Sequence, residues 1–169
     1  LERVASYRSP ELQAIFGITL IAVLGVSSIA PALPRIASAL DVGAGEVALL
    51  ITAFTLPGVI LTTFAGILAD RYGRLQILVP GLVLFAVAGV ACVFATSLPM
   101  LIALRVVQGI GASPIGSINV TLIGDLFADR ERTRAMGLNA SLLSIGTAAY
   151  PAIGGALAAA LWSAPFALA

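Results

Sequence analysis

Residues 47–74 read VALLITAFTLPGVILTTFAGILADRYGR, and this stretch decides the fold. Its first 23 residues, 47–69, carry no charge. A helix of about 20 apolar residues is long enough to cross the hydrocarbon core of a bilayer. The uncharged run then ends in Asp70, Arg71 and Arg74. The stretch predicts a membrane-spanning helix that leaves the bilayer at a short charged turn.

Four further apolar runs of similar length surround this one, and together they predict an all-α integral membrane protein. The five predicted spans cover residues 12–40, 47–69, 75–95, 98–124 and 135–161. They are helices because lipid-exposed strands need a closed barrel and alternating polarity, which these runs lack. At the start of the first span, Ser9 is a suitable N-cap, Pro10 fits the first turn and Glu11 favours the positive helix end.

The composition excludes a water-soluble domain and several classes of function. Apolar residues are 60% of the chain and charged residues 10%. Soluble domains have about half apolar and about one quarter charged residues. With no histidine and a single cysteine, we expect no metal and no cofactor. A net charge of +1 gives no general attraction to nucleic acid. No Asp or Glu lies within the five spans, so no acid–base pair is available and an enzyme is not expected.

Arginine is confined largely to alternate connections, and this bias predicts the orientation. Arg3 and Arg8 precede the first span, whereas the connections at 41–46 and 97–99 contain no arginine. The other two connections carry Arg71, Arg74, Arg130, Arg132 and Arg134. By the positive-inside rule the N-terminus is cytoplasmic, and we expect a multi-pass protein of the cell (inner) membrane. Arg35, at the outer end of the first span, is expected to reach the headgroups.

The fourth span carries a polar stripe within the bilayer. Arg105, Gln108 and Asn119 recur at helical spacing. The stripe is completed by Gly109, Ala112 and Gly116. Because an intramembrane guanidinium costs about 2.5–3.5 kcal/mol on insertion scales, it normally faces protein or water. The stripe therefore predicts a polar cavity in which Arg105, Gln108 and Asn119 serve substrate binding or coupling. Alternatively, Arg105 extends outward to the headgroups.

The spans themselves offer Arg105 no carboxylate partner. Its counter-ion then lies outside this sequence, or the cation contacts substrate, water or backbone carbonyls.

The fifth span has a face of small side chains, which allows helices to approach closely in lipid. This face consists of Gly137, Ser141, Ser144, Ala148, Gly155 and Ala159. Pro151 removes a backbone hydrogen bond and is expected to bend the helix. The alternative is ordinary membrane packing. In this chain alone, we expect the small face and the polar face of the fourth span to point towards lipid.

The turn after the second span combines charge with conformational freedom. Gly73, between Arg71 and Arg74, allows a tight connection. Asp70 among these arginines indicates a charge network or a cap on another helix N-terminus.

These features resemble the major facilitator superfamily, and most closely its drug:proton antiporter branches. Residues 66–74, GILADRYGR, resemble the signature between helices two and three through Gly66, Asp70, Arg71, Gly73 and Arg74. Residues 101–112, LIALRVVQGIGA, are similar to the helix-four motif, and residues 29–34, IAPALP, to the end of helix one. The spacing of the antiporter motif in helix five is matched by Gly137, Gly146, Pro151, Gly154 and Gly155.

The resemblance implies a major-facilitator-type bundle with five transmembrane helices and the start of a sixth within 162–169. Residues 1–169 would be the N-terminal half of a transporter of twelve or fourteen helices. Two halves would rock about a midplane site. Asp70 and its neighbouring arginines would latch the halves, Arg105 would serve substrate or proton coupling, and the glycine-rich fifth helix would pack across the half interface. Helix one, where such antiporters often carry a carboxylate, offers only Thr19, Ser27 and Ser28.

The predicted function is secondary active transport of a small organic molecule, of the multidrug efflux antiporter type. A uniporter or symporter for a polar or anionic metabolite, and a non-transporting membrane scaffold or half-transporter, are the alternatives. The expected partners are the lipid bilayer, a small-molecule substrate, protons, and a C-terminal half or a second copy.

Overall fold

The computed structural model describes residues 10–167, and this part of the chain is helical with no strand. Its helices are α1 (Pro10–Ser27), α2 (Leu33–Leu40), α3 (Ala44–Tyr72), α4 (Arg74–Val93), α5 (Leu98–Leu126) and α6 (Asp129–Ala160), with 3₁₀ helices at Ala30–Ala32 and Ala164–Ala167. Five segments are long and apolar enough to cross a membrane, as predicted. Ser9, Arg3 and Arg8, on which the predicted cap and orientation partly rest, lie outside the described residues.

The first predicted span consists of two helices rather than one. It covers Leu12–Leu40, but α1 stops at Ser27 and α2 begins at Leu33. The break follows from Pro31, which has no N–H to bond the carbonyl of Ser27. It leaves carbonyls near the end of α1, among them that of Gly25, without a partner in the helix and available to other groups.

α3, α5 and α6 extend past the predicted spans at ends that carry charged residues, whereas α4 stops at Val93, before the predicted end at 95. α3 runs to Tyr72 and so includes Asp70 and Arg71, and α6 begins at Asp129 instead of residue 135. The hydrophobic core of the membrane limits the uncharged run, whereas backbone hydrogen bonding continues into the headgroup region. After Leu161 the described chain forms only the short helix Ala164–Ala167, so the start of a sixth span stays a prediction.

α5 packs directly against α3 and α4 at positions without side chains. A Cβ on Gly109 would collide with the carbonyl of Phe54 in α3. On the α4 side, a Cβ on Gly81 would collide with the ring of Pro114. Such small residues allow helix backbones to meet in lipid. α5 also contacts α1 and α6, so it is in contact with every other long helix.

α1 and α6 form a second seam. Gly154 of α6 lies against the backbone of Ser28, just after α1, where a Cβ would not fit. Arg35 donates to the carbonyls of Ala158 and Ala159 at 3.3 and 3.2 Å. The expectation that Arg35 reaches the headgroups stays a prediction, and its exposed guanidinium also interacts favourably with the dipole at the carbonyl end of α6.

The two ends of the bundle differ. The arginine-rich end is where α3 meets α4 and α5 meets α6. At the opposite end, where α4 meets α5, apolar side chains form a buried cluster that we call the opposite-end cluster. Its members are Ile29, Ala32, Ile36, Val47, Leu50, Cys92, Ala95, Leu101, Ala158 and Phe166.

Candidate functional site

Arg105 lies inside the bundle, with its charge directed at the backbone of α1. Its Nη1 atom donates to Oε1 of Gln108 at 2.7 Å and to the carbonyl of Gly25 at 3.0 Å. That carbonyl is free because α1 ends shortly after it, and the N–H of Ile29 bonds Val26 instead. The negative end of the α1 dipole thus faces a cation that makes no ion pair within residues 10–167. This is the backbone-carbonyl arrangement that the sequence left open.

Two phenyl rings complete the surroundings of the Arg105 guanidinium. Its carbon lies 5.5 Å from the ring centre of Phe54 and 4.9 Å from that of Phe166. Phe54 is held by an edge-on contact with Phe85, with ring centres 6.2 Å apart, and it occupies the space that a side chain at Gly25 would need. Rings so placed attract a cation through their negative faces, most effectively where water is excluded.

The prediction that the polar face of the fourth span points towards lipid in this chain alone is wrong. Arg105, Gln108 and Asn119 are 1%, 0% and 6% exposed. α1 provides the Gly25 carbonyl to Arg105 and the Thr19 hydroxyl to Asn119, whereas Gln108 bonds Arg105 on its own helix. α5 therefore turns these residues inward. The outward-extending alternative for Arg105 is excluded by the same burial. Gly116, the predicted member of the stripe, is exposed.

Asn119 belongs to a second polar cluster. Its Nδ2 atom donates to the hydroxyl of Thr19 at 2.6 Å, and Thr19 donates to the carbonyl of Ile15 at 3.1 Å. The Thr19 hydroxyl also contacts the amide oxygen Oδ1 of Asn139 in α6. A hydroxyl has one proton, so Thr19 accepts from Asn119 and donates either to the Ile15 carbonyl or to Asn139. The cluster therefore joins α1, α5 and α6.

The predicted site is thus divided between two places. Gln108 bonds Arg105 directly, but Asn119 lies 14 residues farther along α5, which is about 21 Å in a helix. A hydrocarbon core is about 30 Å thick, so the clusters lie towards opposite ends of the membrane-spanning part. Arg105 is near the opposite end of the bundle and Asn119 near the arginine-rich end.

Charged residues meet at the arginine-rich end. Nη1 of Arg74 lies 2.6 Å from Oδ2 of Asp125, at the end of α5, and its Nη2 lies 3.7 Å from Oδ1 of Asp70. Arg71 does not join them and instead stacks on Tyr72, with 5.5 Å from its guanidinium carbon to the ring centre. Asp70 is thus part of a charge network, one of the two roles that the sequence indicated. Arg74 links the starts and ends of three helices.

Gly73 is the whole connection between α3 and α4. Its φ of 102° lies where side-chain-bearing residues are rarely found, so the tight turn predicted there is present. Gly66, one helical turn from Asp70, has open space around the position of a Cβ. Its lack of a side chain is therefore not required by any contact within the described residues.

The glycines of α6 face two directions. Gly146 is buried against α1, and Gly154 is buried against Ser28, the residue that follows α1. A Cβ placed on Gly155 would lie 3.7 Å from the Cβ of Pro31. Gly137 is exposed with open space beside it. The small face is also exposed at Ser141, Ser144, Ala148 and Ala159. α6 continues as one helix through Pro151.

Several partners were missed by sequence reasoning. No sequence signal marks Phe54, Phe166 or the carbonyl of Gly25. In a sequence, an apolar side chain or backbone group that contacts a charge looks the same as one that packs in the hydrophobic core. Asn139 could have been found, since an amide within a span seeks a polar partner on another helix. Asp125 could have been paired with Arg74, because each lies next to a predicted span at its arginine-rich end.

A bundle of five membrane-length helices with an arginine and amides buried inside defines a polytopic α-helical membrane protein. The chain matches the Major Facilitator Superfamily over residues 15–169, and it belongs to that family. The family is one of transporters, in agreement with the expectation that the chain is not an enzyme.

Similar proteins carry transport names. A bacillibactin exporter of Bacillus subtilis is 33% identical over 160 residues, which are 90% of this chain and 40% of that protein. The multidrug resistance protein Stp of Mycobacterium tuberculosis is 32% identical, over 75% of this chain and 24% of that protein. The multidrug transporter protein MdtP of Bacillus subtilis is 33% identical, over 73% and 23%. The chain thus spans less than half the length of these relatives.

Proposed function

We propose that the chain is the N-terminal half of a secondary transporter that moves a small organic molecule across the membrane by alternating access. Family membership and the five membrane-length helices support the proposal. In such carriers two helical bundles rock about a site between them. The exposed small face of α6 and the open space beside Gly66 provide surfaces on which a second bundle would pack.

Efflux of the multidrug type, in exchange for protons, is the form of transport that we favour. Two of the relatives named above are multidrug proteins and one is an exporter. The motif spacing in α6 resembles that of antiporters. The substrate class is then a small, amphipathic organic molecule.

The arrangement around Arg105 carries the mechanistic part of the proposal. A nearly fully buried cation joins α5 to the free carbonyl end of α1, so a shift between these helices changes the environment of a charge. Such a group suits coupling between conformation and the binding of substrate or protons. Gln108 holds the guanidinium, and Asn119 supports the same helix pair nearer the arginine-rich end.

One observation favours a different transport mode. Arg105 forms no ion pair within the described residues, and a cation without a carboxylate partner suits a polar or anionic substrate. Transport by a uniporter or symporter is therefore the second candidate. A non-transporting membrane scaffold is the third, because the chain spans only part of its relatives.

The proposed setting is the cell (inner) membrane with the N-terminus in the cytoplasm. The arginine-rich end then faces the cytoplasm, in agreement with the positive-inside rule. The Arg105 cluster lies towards the outer side and the Thr19 cluster towards the inner side.

The test is transport by the complete reading frame that contains this chain, in proteoliposomes with an imposed pH gradient and ethidium as probe. Arg105→Ala should lower the rate about tenfold or more, because the buried contacts of the cation are lost. Arg105→Lys should restore part of it, since lysine keeps the charge but lacks the planar fork. Arg130→Ala, an exposed arginine outside the span, is the matched control and should transport normally.

Two outcomes decide between the candidates. Normal transport by Arg105→Ala contradicts the proposed role of Arg105. Transport of an anionic probe without dependence on the pH gradient favours the uniporter over the antiporter.

A further inference from the structure

The Arg105 guanidinium is held by fewer hydrogen bonds than its burial demands. Only Nη1 is bonded, to Gly25 and Gln108. Nε and Nη2 have no hydrogen-bond acceptor among the residues that the structure describes. The two hydrogen bonds of Nη1 lie in the guanidinium plane and orient it, but the other three N–H groups are buried without acceptors among these residues. Other contacts must stabilise that part of the group.

Besides the buried Cys92 thiol, which interacts electrostatically with Arg105, two phenyl rings lie against this cation, and they differ in how they are anchored. Phe54 is fixed within the long helix α3 by its edge-on contact with Phe85 and by the cleft at Gly25. Phe166 comes instead from the four-residue helix Ala164–Ala167, after α6 has ended. Its ring is the nearer of the two, at 4.9 Å, and it is 0% exposed.

We propose that Phe166 is a positioning residue for Arg105: its ring stabilises the cation where the described residues offer no hydrogen-bond acceptor and shields it at the opposite end of the bundle. Because Phe166 lies in the short helix Ala164–Ala167 after the end of α6, it ties the buried cation to that end of α6. A shift of α6 along α1 then changes the position of the ring and the exposure of the charge. The role in transport rests on the proposed function, whereas the geometric claim does not.

The bland alternative is that Phe166 only fills space in the opposite-end cluster. Leucine fills a similar apolar space but has no ring, so Phe166→Leu separates the two explanations. Phe166→Tyr keeps the ring and serves as the conservative rescue. Phe94→Leu is the matched control, because Phe94 is 72% exposed.

The geometric test is nuclear magnetic resonance of the 169-residue chain in lipid nanodiscs, with ¹⁵N in the arginine side chains. The Nε–H signal of Arg105 is identified by its disappearance in Arg105→Lys. We expect Phe166→Leu to move this signal downfield, because the ring current is lost. Phe166→Tyr and Phe94→Leu should leave it in place. An unmoved signal in folded Phe166→Leu overturns the proposal.

A measurement on the unmodified chain tests the same contact without depending on whether a variant folds. A nuclear Overhauser effect between the Arg105 side chain and the Phe166 ring is expected, and its absence overturns the proposal. In the complete carrier, Phe166→Leu should lower the maximal rate and leave the half-saturating concentration unchanged, with rescue by Phe166→Tyr. Normal transport by Phe166→Leu removes the role in transport, whereas normal transport by Arg105→Ala removes the proposed function itself.

Discussion

Arg105 illustrates how a charge is accommodated in a helix that crosses the bilayer. The insertion cost of an arginine at the centre of a span is about 2.5–3.5 kcal/mol. Among residues 10–167 the cost is offset without a carboxylate, by a helix carbonyl, an amide and two aromatic rings. The Gly25 carbonyl is available because α1 ends at Ser27 and the N–H of Ile29 bonds Val26 instead. The end of one helix thus provides the partner of an arginine in another.

Thr19 provides a prediction about stability at the scale of one hydroxyl. Thr19→Val keeps the shape but leaves the amides of Asn119 and Asn139 without their shared partner. Interhelical hydrogen bonds in membranes contribute modestly, so we expect a loss of about 1–2 kcal/mol in the free energy of unfolding. Steric trapping or denaturant titration of the chain in bicelles measures it.

The control for this prediction is Thr121→Val on α5, whose hydroxyl bonds only carbonyls of its own helix, at Ser117 and Ile118. It should change the free energy of unfolding by less than about 0.5 kcal/mol. Equal effects of the two variants would show that the Thr19 cluster adds nothing specific.

Asp70 is predicted to act in conformational switching and not in substrate binding. Its side chain is 73% exposed at the arginine-rich end, far from the centre of the membrane-spanning part. Asp70→Asn removes the charge at nearly constant shape. In the complete carrier it should slow transport or bias the access state and leave equilibrium substrate affinity nearly unchanged.

Asp125→Asn is the informative companion, because Asp125 makes the shorter contact with Arg74. We expect it to slow transport at least as much as Asp70→Asn. Each variant should alter unfolding free energy by less than about 1 kcal/mol, since exposed ion pairs contribute little. A large loss of affinity in a carrier locked in one state would argue against the switching role.

At the scale of elements, hydropathy located the spans well but not the helix ends. The spans at 47–69 and 98–124 lie within α3 and α5, because the uncharged run follows from membrane thickness. The break in the first span was signalled only by its prolines. Whether a proline bends or ends a helix depends on partners for the freed carbonyls, and these come from other helices.

The candidate site was predictable only in its local part. Arg105 and Gln108 are three residues apart on a helix, so their contact follows from helical geometry. Thr19 and Asn139 are separated by 120 positions, and Phe166 follows a different helix from Arg105. Their meeting depends on how α1, α5 and α6 pack, which no local pattern encodes.

The turn between α3 and α4 gives a prediction for an element boundary. Gly73→Ala forces a side chain into a conformation almost restricted to glycine, and we expect a loss of about 1–3 kcal/mol in unfolding free energy. Gly66→Ala is the matched control in the same motif. It is helical with open space around it, so the chain should be unaffected or slightly stabilised. The comparison is made by unfolding both variants in bicelles; equal losses would contradict the account of the turn.

At the scale of the whole molecule, the predicted site residues of α5 are buried within the bundle, whereas other surfaces of the described chain are exposed. Arg105, Gln108 and Asn119 are buried inside the bundle, so their burial does not require a second bundle. The small face of α6 and the surroundings of Gly66 do remain open. A transport pathway between two bundles cannot be formed by one of them.

The most direct test of this account is substrate flux through liposomes that contain the purified 169-residue chain, with cross-linking to report its oligomeric state. We expect no flux from the monomer. Saturable flux should appear in a cross-linked dimer, or when the complete reading frame replaces the chain, and it should disappear with Arg105→Ala. Flux from a species shown to be monomeric would contradict the claim that this chain is half of an alternating-access transporter.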